Sequence, residues 1–421
     1  MDIFRPADIL LPNVEDMTAW SVVACDQFTS EPEYWQQVRK IAGDKPSALN
    51  MILPEAELGI RDTETESEKI YSVMRSYLES GVFTELKDSF LYIERTLSDG
   101  TVRPGLVGML DLEAYDWTEG SVSPIRATEH TVEDRLAPPR IRVREKALVE
   151  MPHIMVFIDD PEDYVFSSVK KGKLLYDFEL MQHGGHIKGW QVSDNAAVEA
   201  AVDKLGDKDE LIKKYGSADD PIVFAIGDGN HSVAAAKQYW EEIKPMLSTE
   251  ERKTHPARFA LCEINNIHSP AITFEPIHKV LFDTEPEQFI SEAKKYFADD
   301  IGKGKAITIV THDVTETIEL ADMTLGEIIG SCESFCKAYI ERFGGRIDYI
   351  HGDEECIGMA GKEHDAGILM PRMEKSELFT SVYKSGPFPK KSFSIGHGPD
   401  KRYYLECRII NPCHKAENVI K

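Results

Sequence analysis

Residues 228–232, Asp-Gly-Asn-His-Ser, place a carboxylate, a carboxamide, an imidazole and a hydroxyl within five consecutive positions. A carboxylate can act as a base or hold Mg2+, and an imidazole titrates near neutral pH and can pass a proton. Hydroxyl and backbone N–H groups can hold phosphate oxygens. Together these groups suit a site for phosphate or carboxylate. In an enzyme of phosphoryl transfer or nucleotide hydrolysis, the backbone amides of Gly229, Asn230, His231 and Ser232 would cradle phosphate, and His231 would position it or shuttle a proton. Asp228, or Glu129 or Asp26 if they fold nearby, would act as base or hold Mg2+. The flanking residues indicate how the groups are positioned. Residues 222–226, Ile-Val-Phe-Ala-Ile, form a short apolar run and read as a buried strand. Gly227 and Gly229 allow the tight turn around Asp228. Asn230 or Ser232 can cap a helix in which Val233, Ala236, Trp240 and Ile243 recur at helical spacing, before Pro245 stops it. The N-terminus of such a helix has unpaired N–H groups and a positive dipole end, a setting for phosphate or carboxylate. The same residues also serve turn geometry alone, and a histidine bonded to backbone is the alternative role for His231.

Four other stretches carry candidate chemistry. Residues 125–144 crowd Arg126, Arg135, Arg140, Arg142 and Arg144 into an acidic chain, interleaved with Glu129, His130, Glu133 and Asp134. They read either as an anion clamp built from planar guanidinium forks or as an ion-paired surface helix. Asp26 closes an apolar strand expected at 20–25, where α/β folds gather ligands, or merely precedes a helix capped by Ser30 with Pro32 in its first turn. His278 and Lys279 lie in the apolar stretch 272–282. Pro276 there argues for an edge strand, so the two face either a pocket or solvent. Lys390, Lys391 and Ser392 follow two prolines and either hold an anion or form a basic surface loop.

The totals limit the partners. The 421 residues are 42% hydrophobic and 29% charged, ordinary for a globular protein with room for two or three domains. The net charge of −25 opposes binding to nucleic acid or to anionic membranes, while leaving room for a local basic pocket for a small anionic ligand. Seven scattered cysteines without a CxxC predict reduced thiols, with Cys332 and Cys336 packed in a core. The first residues lack a basic region followed by an apolar run, and no stretch approaches a membrane span, so a cytoplasmic location is expected. A homo-oligomer is compatible with all of this. Walker A, GxGxxG, HExxH and GxSxG motifs are absent.

The periodicities predict a mixed α/β (α+β) chain in three regions. These are an N-terminal region 1–120, a core 121–285 carrying the strand–turn–helix, and a C-terminal region 286–421. Hairpins are expected around residues 98–100 and 183–185, a helical stretch at 196–215 broken at Gly206, and a helix at 325–343. A last strand is expected at 403–410.

In this order the pieces resemble the bacterial and archaeal family named "domain of unknown function 1015". Its opening strand and aspartate turn correspond to residues 22–26. Its arginine-glycine strand and Leu-Glu-Ala-Tyr-Asp segment correspond to 103–116, and its His-Glu-Thr and Asp-Arg segment to 129–136. Its Asp-Gly-His-His-Arg turn falls on Asp228 to Ser232, its Pro-x-His-Arg strand on Pro276 to Lys279, and its Pro-Lys-Ser turn on Pro389 to Ser392. That turn is similar to motifs of the ParB and sulfiredoxin-like superfamily, which includes free-serine kinases. The resemblance implies a core of that type with an additional α/β region. It also implies a nucleotide or phosphate pocket at residues 228–232, with nucleotide and Mg2+ as the cofactor to test. A ParB-like DNA-binding role follows from the superfamily alone, and the net charge opposes it. The chain departs from the pattern at Asn230, where the family has histidine, at Ser232, where it has arginine, and at Val23-Ala24-Cys25, where it has Pro-Pro-Tyr. Without that arginine, an anion would have to be held by Arg126, Arg135 or Lys391, or the chain would bind metabolites without turning them over.

Overall fold

The computed structural model describes residues 3–57, 62–118, 120–130, 144–396 and 398–411. The chain is mixed α/β and divides into two units rather than three regions. One comprises Met1–Ala127, Thr131–Ile272 and His397–Lys421; the other comprises Thr128–His130 and Thr273–Gly396. The expected border near residue 120 fails because strands on either side of it pair in one sheet.

The first unit is built on a sheet of ten described strands. In chain order these are β1 (Phe4–Arg5), β2 (Leu91–Thr96), β3 (Val102–Asp111), β4 (Tyr115–Asp116), β5 (Ile125–Ala127), β6 (Met155–Ile158), β7 (Lys171–Glu179), β8 (His186–Val192), β9 (Phe224–Asp228) and β10 (Phe259–Asn266). Across the sheet the order is β7-β8-β2-β3-β10-β6-β9-β5-β4, with β1 beside β3. The β2–β3 hairpin turns where expected, with Gly100 at φ 86° and Thr96 opposite Val102. Side chains alternate across the sheet. Leu106 and Leu110 of β3 with Ala260, Cys262 and Ile264 of β10 join one core, whereas Val107 and Leu261 join another. The first core is closed by helix α1 (Asn230–Ile243), which contributes Val233, Ala236 and Trp240.

The second unit is a sheet of six described strands. These are β11 (Phe274–Phe282), β12 (Ile301–Val310), β13 (Thr315–Leu320), β14 (Arg346–His351), β15 (Ala366–Leu369) and β16 (Phe393–Ile395), with helix α2 (Leu325–Phe343) between β13 and β14. The order is β13-β12-β15-β11-β14, with β16 also on β11. α2 opens with a capping box between Thr324 and Glu327 and buries Cys332 and Cys336 among Ile328, Ile329 and Phe335, the core role expected for both cysteines.

Several local expectations need correction. β11 is not an edge strand, since it pairs with β14, β15 and β16. Pro276 is tolerated because β14 pairs only from Ile277 onward, leaving the proline opposite Phe393 of β16. The strand expected at 20–25 is instead a turn of helix, Met17–Trp20, whose start Asp16 caps by accepting from Ala19 N–H, followed by the two-residue strand Val22–Val23. Ser30 is not a cap: the next helix, Pro32–Ala42, starts after Glu31 with the proline in its first turn. The strand expected at 403–410 is split into Tyr403–Tyr404 and Arg408–Ile409, which pair with different partners. Among the described residues no helix is long and apolar enough to cross a membrane.

Candidate functional site

The apolar run of β9 ends at Asp228, and α1 begins one residue later. Gly229 makes the corner at φ 80°, ψ 24°, a left-handed conformation that side chains disfavour. It also lies against the next segment, since a Cβ there would come within 3.1 Å of the Ile154 Cα. Gly227 is required by space, because a Cβ would stand 2.3 Å from the Phe157 ring. The helix has no side-chain cap. Asn230, expected as a cap, is instead the first helical residue, is buried, and leaves its Oδ1 without a hydrogen-bond partner. Two of the four amides expected to cradle phosphate are committed. Gly229 N–H donates to Asp228 Oδ1 at 2.8 Å, and Ser232 N–H donates to the Gly229 carbonyl at 2.9 Å.

Strand pairing supplies the rest of the site. Met155 of β6 stands opposite Asp228 on one side and Glu263 on the other. The loop just before β6 therefore brings His153 to the same end of the sheet, where it is 7% exposed. Lys401 arrives from the C-terminal segment and places Nζ 3.3 Å from Asp228 Oδ2. Burial pushes the Asp228 carboxyl up, but the charges of Lys401 and His153 and the Gly229 amide outweigh it and hold the group below the usual carboxylate range. Asp228 is thus a half-buried anion, ion-paired with Lys401, at the head of a 14-residue helix.

Beside it lies a chain of polar contacts. His153 Nε2 is 3.7 Å from Asp26 Oδ2, and its Nδ1 is 3.1 Å from the Tyr404 hydroxyl. That hydroxyl donates to Cys25 Sγ at 3.1 Å and accepts from Cys25 N–H at 3.3 Å. On the Glu263 side a buried ionic network fills the sheet. Arg402 reaches Glu263 at 2.8 Å and Glu406 at 2.5 Å, and Asn265 Nδ2 donates to Glu263 at 2.9 Å. Arg103 donates to the Asp400 carbonyl, while burial lowers its pKa against the opposing pull of Glu263.

The structure distributes the expected residues as follows. Asp228, Gly229, Asn230, His231, Ser232 and Asp26 belong to the first unit, and Asp26 is linked to Asp228 through His153. His231 is half-buried on the first turn of α1. Arg126 is buried on β5 beside Ala225, but its guanidinium donates to the carbonyls of Ser123 and Asp220. Asp220 precedes β9, so Arg126 holds the entrance of that strand, and the anion-clamp reading does not describe it. Arg135, with Glu133, Asp134, Arg140 and Arg142, lies outside the described residues, as does Cys413. Arg144 forms an ion pair with Glu150 at 2.6 Å.

Glu129, His278, Lys391 and Ser392 belong to the second unit. Two of them meet there: Glu129 Oε1 accepts from Lys391 N–H at 3.0 Å, while the Ser392 carbonyl accepts from Ile277 N–H. The Ser392 hydroxyl is used on the Pro389 carbonyl, and Lys391 Nζ lies over the Tyr349 ring. His278 is 1% exposed, donates from Nε2 to Asp353 at 2.9 Å and accepts Met370 N–H at Nδ1. With both ring nitrogens used, His278 is a structural histidine, facing neither solvent nor a pocket. Lys279 is fully buried and reaches Glu333 at 2.7 Å. Sequence reasoning missed His153, Lys401 and Tyr404. The only local signals were a histidine just before a buried strand and Lys-Arg-Tyr-Tyr ahead of the last apolar run.

Comparison with solved structures gives distant overlaps. SbnI with a C-terminal truncation from Staphylococcus aureus is 11% identical, covering 74% of this chain and 91% of that one, at a TM-score of 0.37. A conserved hypothetical protein from Pyrococcus furiosus is 10% identical, covering 70% and 92%, at 0.34. A free serine kinase in complex with AMP is 11% identical, covering 72% and 91%, at 0.37. At this level of overlap none of them assigns a role to a residue here. No curated protein matches the chain. The profile of the family described as protein of unknown function (DUF1015) matches residues 4–388, spanning both units and the motifs at 22–26, 103–116, 228–232 and 276–279, and the chain belongs to that family.

Proposed function

We propose that this protein binds a phosphorylated small molecule, a nucleotide being the first choice, at the Asp228–Ser232 turn and acts on it by phosphoryl transfer or hydrolysis. The observation that carries the reading is the half-buried Asp228 carboxylate, held anionic and paired with Lys401 at the head of α1. A carboxylate held anionic at a helix N-terminus can accept a proton from an attacking hydroxyl. Lys401 and the dipole of α1 would draw phosphate oxygens to the same place. His231 on the first turn would position phosphate or shuttle a proton. Among the described residues no group of three or more His, Cys, Asp or Glu is arranged to hold a metal, so in this reading Mg2+ arrives with the phosphates. A second reading, binding without turnover, is favoured by the engaged amides of Gly229 and Ser232 and by serine standing where the family has arginine.

The test is a thermal-shift screen against ATP, ADP, CTP, GTP and pyrophosphate, with and without Mg2+, alongside His231→Ala and Asp228→Asn. A ligand at ~100 times its dissociation constant should stabilise the fold by about 2.7 kcal/mol. A shift present in the parent and lost in both variants supports the pocket, and release of phosphate or ADP then separates enzyme from binder. Unchanged melting with every phosphate compound, or equal shifts in the variants, removes the proposal.

A further inference from the structure

We propose that Cys25 is a reactive thiol, activated by the relay Asp26–His153–Tyr404, and that its substrates are small hydroperoxides. Cys262, Cys332, Cys336, Cys356 and Cys407 are each at most 2% exposed, and burial raises the pKa of every one of them. Cys25, by contrast, is half-buried. The groups around it set it apart from a merely accessible cysteine. The Tyr404 hydroxyl donates to Sγ at 3.1 Å. Cys25 N–H donates to the same oxygen at 3.3 Å, and His153 Nδ1 lies 3.1 Å from it. The far nitrogen of the ring faces the Asp26 carboxylate at 3.7 Å. The result is a thiol joined through a phenol hydroxyl to an imidazole, a path along which the thiol proton can pass to His153 as the sulfur attacks. Burial, with Cys25 and Asp26 alongside, pushes the Tyr404 hydroxyl well above its ordinary range, so the phenol keeps its proton and remains a donor. The charged groups around the imidazole are Asp26 and, from β9, Asp228 with its partner Lys401.

The chemistry this arrangement favours needs an anionic sulfur and a proton donor for a departing oxygen. It does not need an oxyanion hole, and two of the neighbouring amides are already engaged. Cys25 N–H is on Tyr404, Gln27 N–H is on the Ala24 carbonyl, and the Cys25 carbonyl takes Glu55 N–H. That argues against acyl transfer. With a hydroperoxide, Sγ attacks the distal oxygen, the S–O bond forms and the O–O bond breaks. The departing oxygen takes the Tyr404 proton, and His153 Nδ1 replaces it. Sulfur loses two electrons to become a sulfenic acid, and the peroxide is reduced to water or an alcohol.

The experiment uses the whole protein at pH 6.5, in two arms. In the first, iodoacetamide labels the native protein and peptide mass spectrometry follows Cys25. The expected rate exceeds that of free cysteine by roughly ten-fold and falls at least about five-fold in both Tyr404→Phe and His153→Asn. Circular dichroism confirms that the variants are folded, and His153→Asn serves alone if Tyr404→Phe is not. In the second, hydrogen peroxide is added with dimedone, which traps sulfenic acid. The dimedone adduct is expected on Cys25, lost in Cys25→Ser and reduced in His153→Asn. Labelling no faster than free cysteine, or unchanged in the relay variants, overturns the activated thiol. Fast alkylation without a dimedone adduct overturns the assignment to hydroperoxides. Neither arm contains a nucleotide, so the result stands apart from the phosphate-site test.

Discussion

Replacing Gly229 by alanine tests the geometry of the strand–turn–helix directly. Two costs are expected. The first is conformational: φ 80° places the residue in the left-handed region, which costs a residue with a Cβ about 1–2 kcal/mol. The second is contact. The new Cβ would stand 3.1 Å from Ile154 Cα and 3.2 Å from Ile154 Cγ1, and relieving such crowding in a packed interior costs about 1–3 kcal/mol. Gly216 separates the two costs. It ends a helix at φ 82°, and a Cβ there meets nothing within 4 Å. Gly216→Ala should therefore cost about 1–2 kcal/mol and Gly229→Ala about 2–5 kcal/mol by urea unfolding, the difference being the Ile154 contact. Adding Ile154→Ala removes the Cγ1 half of that contact, so the double variant should lose less stability than the sum of the singles. Equal losses at Gly216 and Gly229, or strict additivity with Ile154→Ala, would refute the close approach of the turn to the segment that carries His153. Gly229→Ala should also weaken any phosphate ligand found by thermal shift, because the turn sets where α1 begins.

Two further outcomes follow from buried charge. Arg402→Met leaves Glu263 and Glu406, 1% and 2% exposed, without their common cation and should cost about 3–5 kcal/mol by urea unfolding; Glu406→Gln in the same chain should recover part of that loss. Burial lowers the pKa of His278 from 6.5, the charges of Arg372 and Lys279 add to this, and Asp353 opposes it. Below about pH 6.5 the unfolded chain takes up a proton that the folded chain refuses, so stability is full above that pH and is lost as pH falls toward the folded value. Protonating Nδ1 would also strip Met370 N–H of its acceptor. His278→Gln should flatten this part of the stability–pH curve, measured as urea midpoints between pH 7 and 5, and an unchanged slope would show that His278 does not titrate between the states.

The central strand, turn and helix, both hairpins, the break at Gly206 and helix α2 were legible in the sequence, because each is specified by signals a few residues apart. These are apolar spacing, a glycine where φ must be positive, and a proline where a helix must stop. The family was legible for a similar reason, since its motifs are short and ordered along the chain. Asp228 could be singled out because it closes an apolar strand, and Asp26 because it follows an apolar run, although that run is not the strand it resembles. Their partners could not. Lys401 lies 173 residues from Asp228, and His153 reaches it only because β6 pairs antiparallel with β9 and parallel with β10. Nothing local to Met-Pro-His encodes that register. Arg126 misled for the same reason: its type suits an anion, but the parallel pairing of β5 with β9 turns its guanidinium onto carbonyls ahead of the strand. The sequence by itself determined which segments become strands and helices and which backbone corners need glycine, because short-range sterics and burial decide these. Only the tertiary structure decided which charges meet, because burying Asp228, His153, Lys401 and the Glu263–Arg402 network depends on strand register, and a shift of one residue would turn each side chain to the opposite face.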